Sequence, residues 1–501
     1  MTTAETERIQ VYLKLLKKEP SLYQAAKRTI EKMPETKEMQ ENIMFAKNLY
    51  MTVFAPVLVS FVEWVLAEAQ NRGIKRLYFL ARDGYQMHIA AQHICKKRNI
   101  DIDCCYLYGS RYAWRMPQFA LMGEACLDMI CRGGIDVTFE KVMKRGGLTE
   151  EESLEVAEEL GFLNRYKEVL SYNAVMQLKN PLKESQKFLG YVYEHSRKAY
   201  QTTISYLEQE GLFENIRYAL VDSGWTGSLQ QTLTQLLWYA DCKKQLEGFY
   251  FGLYELPVGV KKETYHTYYF GPSYGIKQKV YFSNCLYEAV YSAPHGMTMK
   301  YEAYPINSKK TMGIHTNDIM GNFGITEANH MYINAKCASE KMLNQERMLY
   351  RPAFYSTYNL NQRCMEQEKT WLHSFLQYYE GKSSKNTKGN NKRLCYPLLK
   401  KVMGQPTKEE AEAYGTLLFS DDVTEEQIQC VAAFLNKTEM KNHYVWNRIF
   451  IMLGLKKQIL KDSAWIEGSV AMTEEKCAWS LWNVRWYKYL IYFRKWLKRG
   501  T

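Results

Sequence analysis

Two short stretches constrain this chain more than anything else in it: residues 77–85, LYFLARDGY, and residues 220–230, LVDSGWTGSLQ. In each, an apolar run of strand-forming residues stops at Asp and Gly, and a helix-like segment follows. A strand that ends this way and turns at once into a helix is the repeating corner of a parallel α/β sheet. The turn sets an acidic side chain and free backbone N–H groups at the strand's carboxyl end. Open α/β sheets bind ligands at that end, and helix N-termini attract phosphate there. The two turns together predict an α/β protein with a site for something phosphorylated.

The rest of the chain arranges itself around these corners. Residues 1–48 read as a polar helical segment. Residues 49–116 hold the first part of the α/β core: an apolar helix stopped at Gly73, a strand from Ile74, a helix from Gly84, and a second strand over 103–108 closed by Gly109-Ser110-Arg111. Residues 117–212 are charged and helical, an insertion or cap. The α/β pattern resumes over 213–305, with strands at 216–221 and 246–254 and an aromatic stretch, 265–304, read as strand and loop. Residues 306–393 read as helix and loop, ending in a basic, turn-rich linker at 381–393. Residues 394–501 are mostly helical. The expected core is a parallel sheet, Rossmann-like or phosphoribosyltransferase-like.

Composition narrows the class. An apolar fraction of 46% over 501 residues supports a real core. The 39 tyrosines suit either a stacking surface for sugars or bases or an aromatic interior. The 12 cysteines are scattered with no C-x-x-C pair, which argues against zinc-ribbon spacing. Free thiols behind a polar amino terminus predict a reducing cytoplasm. Residues 53–69 are interrupted by Glu63 and Glu68 and read as a buried helix, too short and too charged to span a bilayer. No Walker A, G-x-G-x-x-G or H-E-x-x-H motif occurs, which weighs against a P-loop kinase, a common dehydrogenase and a zinc protease.

The chemistry concentrates at the strand ends. In D-S-G-W-T-G-S, Gly224 and Gly227 let backbone approach a ligand, and successive N–H groups of Ser223, Gly224, Trp225 and Thr226 form an anion nest. Thr226 and Ser228 add hydroxyls for phosphate oxygens, Ser228 doubles as a helix cap, and Gln230 lies just beyond. Asp222 holds a ribose or sugar diol or a metal-bound water, or acts as a base; the plain alternative is a structural capping turn. In the first corner Arg82 reads phosphate and Asp83 a hydroxyl or metal, unless the two simply pair. Gly84 opens the helix there. Ser110 and Arg111 reach the same edge from the next strand. Glu288 and His295, in LYEAVYSAPHGM, are further acid/base candidates. Asp101 and Asp103 superficially match the D-x-D of metal-dependent glycosyltransferases, but they open a strand rather than end one. The G-x-S-x-G match at 271–275 is followed by IKQKVYF, which reads as a strand, so it is taken as a turn and not a nucleophile elbow.

At these motifs the chain resembles the region that accompanies a haloacid-dehalogenase-type domain in predicted hydrolases of bacterial surface-polysaccharide loci. The matching pieces are FAPVLVSFVEWV, LYFLARDGY, YLYGSR, LVDSGWTGSLQ, GFYFGL and LYEAVYSAPHGM, over roughly 45 to 300, with WIEGS at 465–469 a weaker match. The D-x-D-x-T motif that gives such proteins their hydrolase label is absent. A more distant resemblance is to type I phosphoribosyltransferases, whose ribose-phosphate turn VDSGWTGS looks like in shortened form. The first resemblance implies an enzyme of surface-polysaccharide assembly that acts on a phosphorylated sugar or nucleotide sugar, transferase-like. Two alternatives stand beside it: an Mg²⁺-dependent phosphohydrolase with Asp222 as nucleophile, and a non-catalytic membrane-docked adaptor for glycosyltransferases.

The tail carries a separate signal. Over 478–499, Trp479, Trp482, Trp486, Leu490, Phe493 and Leu497 recur at three-to-four spacing, with Arg485, Lys488, Tyr492, Lys495 and Arg499 on another face and no acid. Such a helix suits an anionic membrane surface or packs on its own domain. The expected partners are therefore a phosphorylated sugar, a membrane's inner face and a glycosyltransferase, with no specific nucleic acid.

Overall fold

The computed structural model describes residues 1–32, 41–133, 137–305, 348–354, 361–381, 390–419, 429–453, 455, 463–473 and 478–497. At its centre lies a five-stranded, all-parallel sheet: β1 (Arg76–Leu80), β2 (Asp103–Leu107), β3 (Tyr218–Trp225), β4 (Glu247–Leu253) and β5 (Tyr265–Phe270), side by side in the order β2-β1-β3-β4-β5. The α/β class follows. The order 2-1-3-4-5 is one of the common doubly wound orders, in which the direction of winding reverses between β1 and β3.

Side chains alternate across this sheet, as the period of a strand requires. Leu77, Phe79, Ala219, Val221, Phe249 and Phe251 enter one core with the Ala55–Asn71 and Gly84–Arg98 helices. Tyr78, Leu80, Tyr218 and Leu220 enter the other, against Leu233 and Leu236 of the Ser228–Tyr239 helix. Burial on both faces is why β1 and β3 read as unbroken apolar runs. Tyrosine richness goes largely inward: Tyr50, Tyr78, Tyr250 and Tyr291 are fully buried. Their hydroxyls donate to Gln86, the Glu210 carbonyl, Gln230 and the Phe54 carbonyl at 2.5–2.7 Å. Each buries a large ring without leaving its polar end unpaired.

Between β2 and β3 the chain forms helices with an apolar cluster of their own, from Met116 through Phe139 and Val142 to Val192. The long Gln186–Gln209 helix joins that cluster to the sheet: Phe188 and Val192 belong to the first, Tyr206 and Leu207 to the second.

Four expectations need correction. The helix at 53–69 is part of a longer one, Ile43–Asn71, which by length and composition suffices to cross a membrane. Its apolar window is nevertheless 94% buried within the fold, so it is a core helix for packing reasons and not for want of length. The run after Gly275 is a helix, Ile276–Val280, entered from Gly275 at φ +81°. The alternation in IKQKV misled because Lys279 turns inward and donates to the Pro272 carbonyl at 3.1 Å. A second helix, Asn284–Tyr291, capped by Ser283, falls in the stretch read as strand and loop. Finally, β6 (Thr298–Pro305) pairs antiparallel with β7 (Met348–Phe354), a strand in a region read as helix and loop. Pro352 argues against a central strand, but in a two-stranded ladder every strand is an edge. Most of the basic linker, 382–389, lies outside the described residues.

Candidate functional site

The sheet's winding reversal brings the two corner sequences together. β1 and β3 are neighbours, and their last paired residues are Phe79 and Val221. Asp222 is the next residue of β3, still paired with Tyr250 of β4 but beyond the end of β1. On the β1 side the chain leaves the sheet through Ala81, Arg82 and Asp83 and starts a helix at Gly84. A Cβ on Gly84 would stand 2.9 Å from the Phe79 carbonyl carbon, so the turn can be this tight only with glycine. The two strand ends are then tied directly: the Ser223 hydroxyl donates to the Asp83 carboxylate.

β3 runs on past its neighbour into a twisted segment. Gly224 has φ +116°, Trp225 φ +73° and Gly227 φ +63°. A Cβ on Gly224 would meet the Gly252 carbonyl at 2.3 Å, so this position is closed to any other residue. Tryptophan in the left-handed region is uncommon and costs on the order of 1–3 kcal/mol. The conformation turns the indole N–H to the Glu288 carboxylate, which accepts it. Glu288 sits on the Asn284–Tyr291 helix. Three acids from three elements, Asp83, Asp222 and Glu288, thus share one edge of the sheet.

Their electrostatics are those of a crowded, poorly hydrated cluster. Burial first, and then the charge of Asp83, push Asp222 up to about 7, while Arg111 and the Ser223 and Gly224 backbone N–H groups pull the other way. Burial and Asp83 likewise push Glu288 up to about 8 against the Trp225 hydrogen bond, Arg111 and Arg82. Asp83 is raised by burial, opposed by Ser223, Arg82 and Arg111. Both carboxyl groups are thus held well above the ordinary carboxylate range, near neutral pH. A carboxyl group held in that range can give or take a proton at the pH of the cell.

Arg111, exposed, opens the short Arg111–Arg115 helix at the end of β2. Ser110 caps that helix, accepting from the Ala113 N–H at 3.0 Å, and donates to the Thr298 carbonyl at 2.6 Å. Its hydroxyl therefore fixes Arg111's helix against β6. One turn on is Arg115, a residue the sequence reading passed over. Burial and the like charges of Arg132 and Arg111 draw its guanidinium down to about 10. Among the described residues neither Arg111 nor Arg115 forms an ion pair. Positive charges that repel one another with no carboxylate between them favour an anion. The R-x-x-x-R spacing after the YGS turn was the available signal, since it places both on one helical face.

His295 is buried, and its Nδ1–H donates to the Gly296 carbonyl at 2.8 Å. The Nε2 is then the acceptor, taking the Tyr106 hydroxyl proton at 2.8 Å. Burial, with Arg82 adding to it, lowers this imidazole to about 4, so it stays neutral and orients Tyr106. Gln230 is also buried. Its amide donates to the Leu246 carbonyl at 2.9 Å and accepts from Tyr250 at 2.7 Å, so it holds the sheet rather than facing the edge. The cap of the Ser228–Tyr239 helix is Gly227, which has no side chain, and not Ser228; the Thr226 hydroxyl donates to that of Ser228 at 3.3 Å. Asp101 and Asp103 pair with Lys75 and Arg76 at 2.7 Å each, at the opposite end of the sheet. Among the described residues no group of three His, Cys, Asp or Glu side chains is placed to hold a metal ion.

No protein-family model matches this chain, and no curated protein matches it.

Proposed function

We propose that this chain is an enzyme acting on a phosphorylated sugar or nucleotide sugar in bacterial surface-polysaccharide assembly, with its site at the β1 and β3 strand ends. One observation carries the chemistry: two carboxyl groups raised to about 7 and about 8 stand beside two arginines where the sheet's winding reverses. Arg82 and Arg111 take phosphate oxygens, with Arg115 behind them. Asp222 accepts the proton of an attacking hydroxyl, Asp83 and Ser223 position it, and Glu288 donates to the leaving group. The resemblance of the corner motifs supplies the polysaccharide setting. The described cysteines are all free, which accords with a cytoplasmic location.

The test is a thermal-shift screen with nucleotide sugars, sugar phosphates and inorganic phosphate. A specific ligand raises the melting temperature with the logarithm of its concentration. Arg111→Ala should abolish that response and leave the unliganded melt unchanged. Asp222→Asn should keep the response and lose turnover of that compound by about 10²- to 10⁴-fold. A panel without a single responding compound, or an Arg111→Ala variant that responds like the wild type, overturns the reading.

A phosphohydrolase with Asp222 as nucleophile is the second reading, favoured by the closeness of Asp83, a carboxylate able to serve as its acid/base. That chemistry calls on Mg²⁺, which takes oxygen donors in octahedral order. The described acids do not make a three-donor set, so no step is derived through a metal.

A further inference from the structure

The terminal helix, Ala478–Leu497, packs on the rest of the protein with its apolar stripe outward. Arg485 and Lys488 of its basic side face the protein, while Lys495 stays about half exposed. Arg485 lies over the Tyr281 ring at 5.4 Å, Lys488 donates to the buried Glu467 at 2.5 Å, and Lys495 pairs with Glu255 at 3.5 Å. Tyr492 stacks on Tyr254, with ring centroids 5.7 Å apart and planes at 7°. The apolar stripe is what faces out: Trp479 is 65% exposed, Trp482 47%, Trp486 46%, Leu490 43% and Phe493 50%. The spacing of 3, 4, 4 and 3 keeps all five on one line along the helix.

The neighbouring Val445–Met452 helix adds to this apolar surface. It is fixed to the terminal helix by Tyr444 to Ser480 at 2.6 Å and by Arg448 over the Tyr487 ring at 5.2 Å. It too leaves its large rings outside, with Trp446 67% and Phe450 44% exposed. A soluble surface scatters its exposed apolar residues singly; a continuous stripe of rings marks a contact surface.

We infer that this stripe is a docking surface for an anionic lipid bilayer, in which the helix lies flat at the headgroup level. Charge decides between the occupants. From Trp479 on the chain has six basic residues and no acid; Arg485 and Lys488 are turned to the protein, and it is the charge at the far end of the helix that lies out with the rings. The stripe runs into exposed Arg494 and Lys495 beside Phe493. Tryptophan and phenylalanine next to Lys and Arg match the boundary between acyl chains and anionic headgroups. The long basic side chains can keep their charges at the headgroups while the rings enter below.

The experiment is co-sedimentation of the full chain with vesicles of phosphatidylglycerol mixed with phosphatidylcholine, against phosphatidylcholine alone. The wild type should bind the anionic vesicles and release as salt rises. Arg494→Gln with Lys495→Gln should weaken binding about 30-fold, at roughly a factor of five for each basic residue. Trp479→Ser with Trp482→Ser and Trp486→Ser should lower it by about tenfold or more. These side chains are exposed, so circular dichroism and the melt should not change. Wild-type protein that stays in the supernatant overturns the inference. So does unaltered binding by the tryptophan variant. A wild-type dimer that the tryptophan changes dissolve, without vesicle binding, would assign the stripe to a second copy instead.

Discussion

The two ends of the same sheet treat their acids in opposite ways. At the amino end Asp103, Glu214 and Glu247 each meet a cation. Arg76 is held by Asp103 at 2.7 Å and Glu214 at 3.1 Å. Glu247 accepts from Arg217 at 2.8 Å and Arg72 at 3.3 Å and faces His266 at 2.9 Å. At the carboxyl end Asp83, Asp222 and Glu288 crowd together, and Arg111 and Arg115 form no ion pair among the described residues. Charge that is neutralised on the spot holds structure together. Charge left in tension costs stability and is kept where something else completes it. The proposed site rests on this contrast, and it can be broken by measuring what each charge does for stability.

The largest effect belongs to Arg76. Its side chain is only 4% exposed, and it also donates to the Tyr78 hydroxyl at 3.2 Å. Arg76→Met would leave Asp103 and Glu214 facing each other's neighbourhood without their cation. Removing one partner of a buried pair costs more than the pair contributes, here about 3 kcal/mol, since the two acids keep some water. Urea unfolding at pH 7 measures it, and ligand responses at the other end of the sheet should not move. A loss below about 1 kcal/mol would remove the distinction between the two ends.

At the carboxyl end the sign reverses. Asp222 is raised from the ordinary carboxyl range to about 7 in the folded protein. A group raised on folding contributes stability that is complete below its unfolded value, near 3.9, and is lost as pH rises through 7. Asp222→Asn removes that loss, and the amide oxygen can still accept from the Ser223 and Gly224 N–H groups. The variant should therefore be more stable than the wild type at pH 8, on the order of 2 kcal/mol, and equal to it near pH 4. Paired urea melts at the two pH values decide it. A variant less stable at pH 8 would mean that Asp222 is structural after all.

How much of this was legible beforehand follows from what each signal depends on. β1 and β3 were readable because burial on both faces makes them continuous apolar runs ending at Asp-Gly or Asp-Ser-Gly. Asp83, Asp222 and Arg111 could be named because short loops put strand ends on one edge of any parallel sheet. That β1 and β3 are immediate neighbours was not legible, since the insertion and two helices separate them in sequence. Gln230 and Ser110 looked like ligand groups because polarity shows in a sequence while burial does not. Their partners, the Leu246 and Thr298 carbonyls, are distant in the chain. The terminal helix shows the same limit: its two faces were readable, but which one turned inward depended on Glu467 and Tyr254, contributed by other elements.

The smallest effect sharpens the comparison most, because it tests the amino end by its pH dependence. Burial alone would push the Glu247 carboxyl up; Arg217 and His266 together outweigh it and hold it below the ordinary range. A group lowered on folding adds stability above its unfolded value, near 4.3, and that contribution disappears as pH falls through the folded one. Its cations are 58% exposed at Arg217 and 35% at Arg72, so water and salt screen most of the attraction. Glu247→Gln should cost no more than about 1 kcal/mol at pH 7, less at high salt, and nothing near pH 3. The slope against pH is thus opposite to that of Asp222, although both are carboxylates on adjacent strands of one sheet. If the two variants titrated in the same direction, the division of the sheet into a structural end and a functional end would fail, whatever the size of either effect.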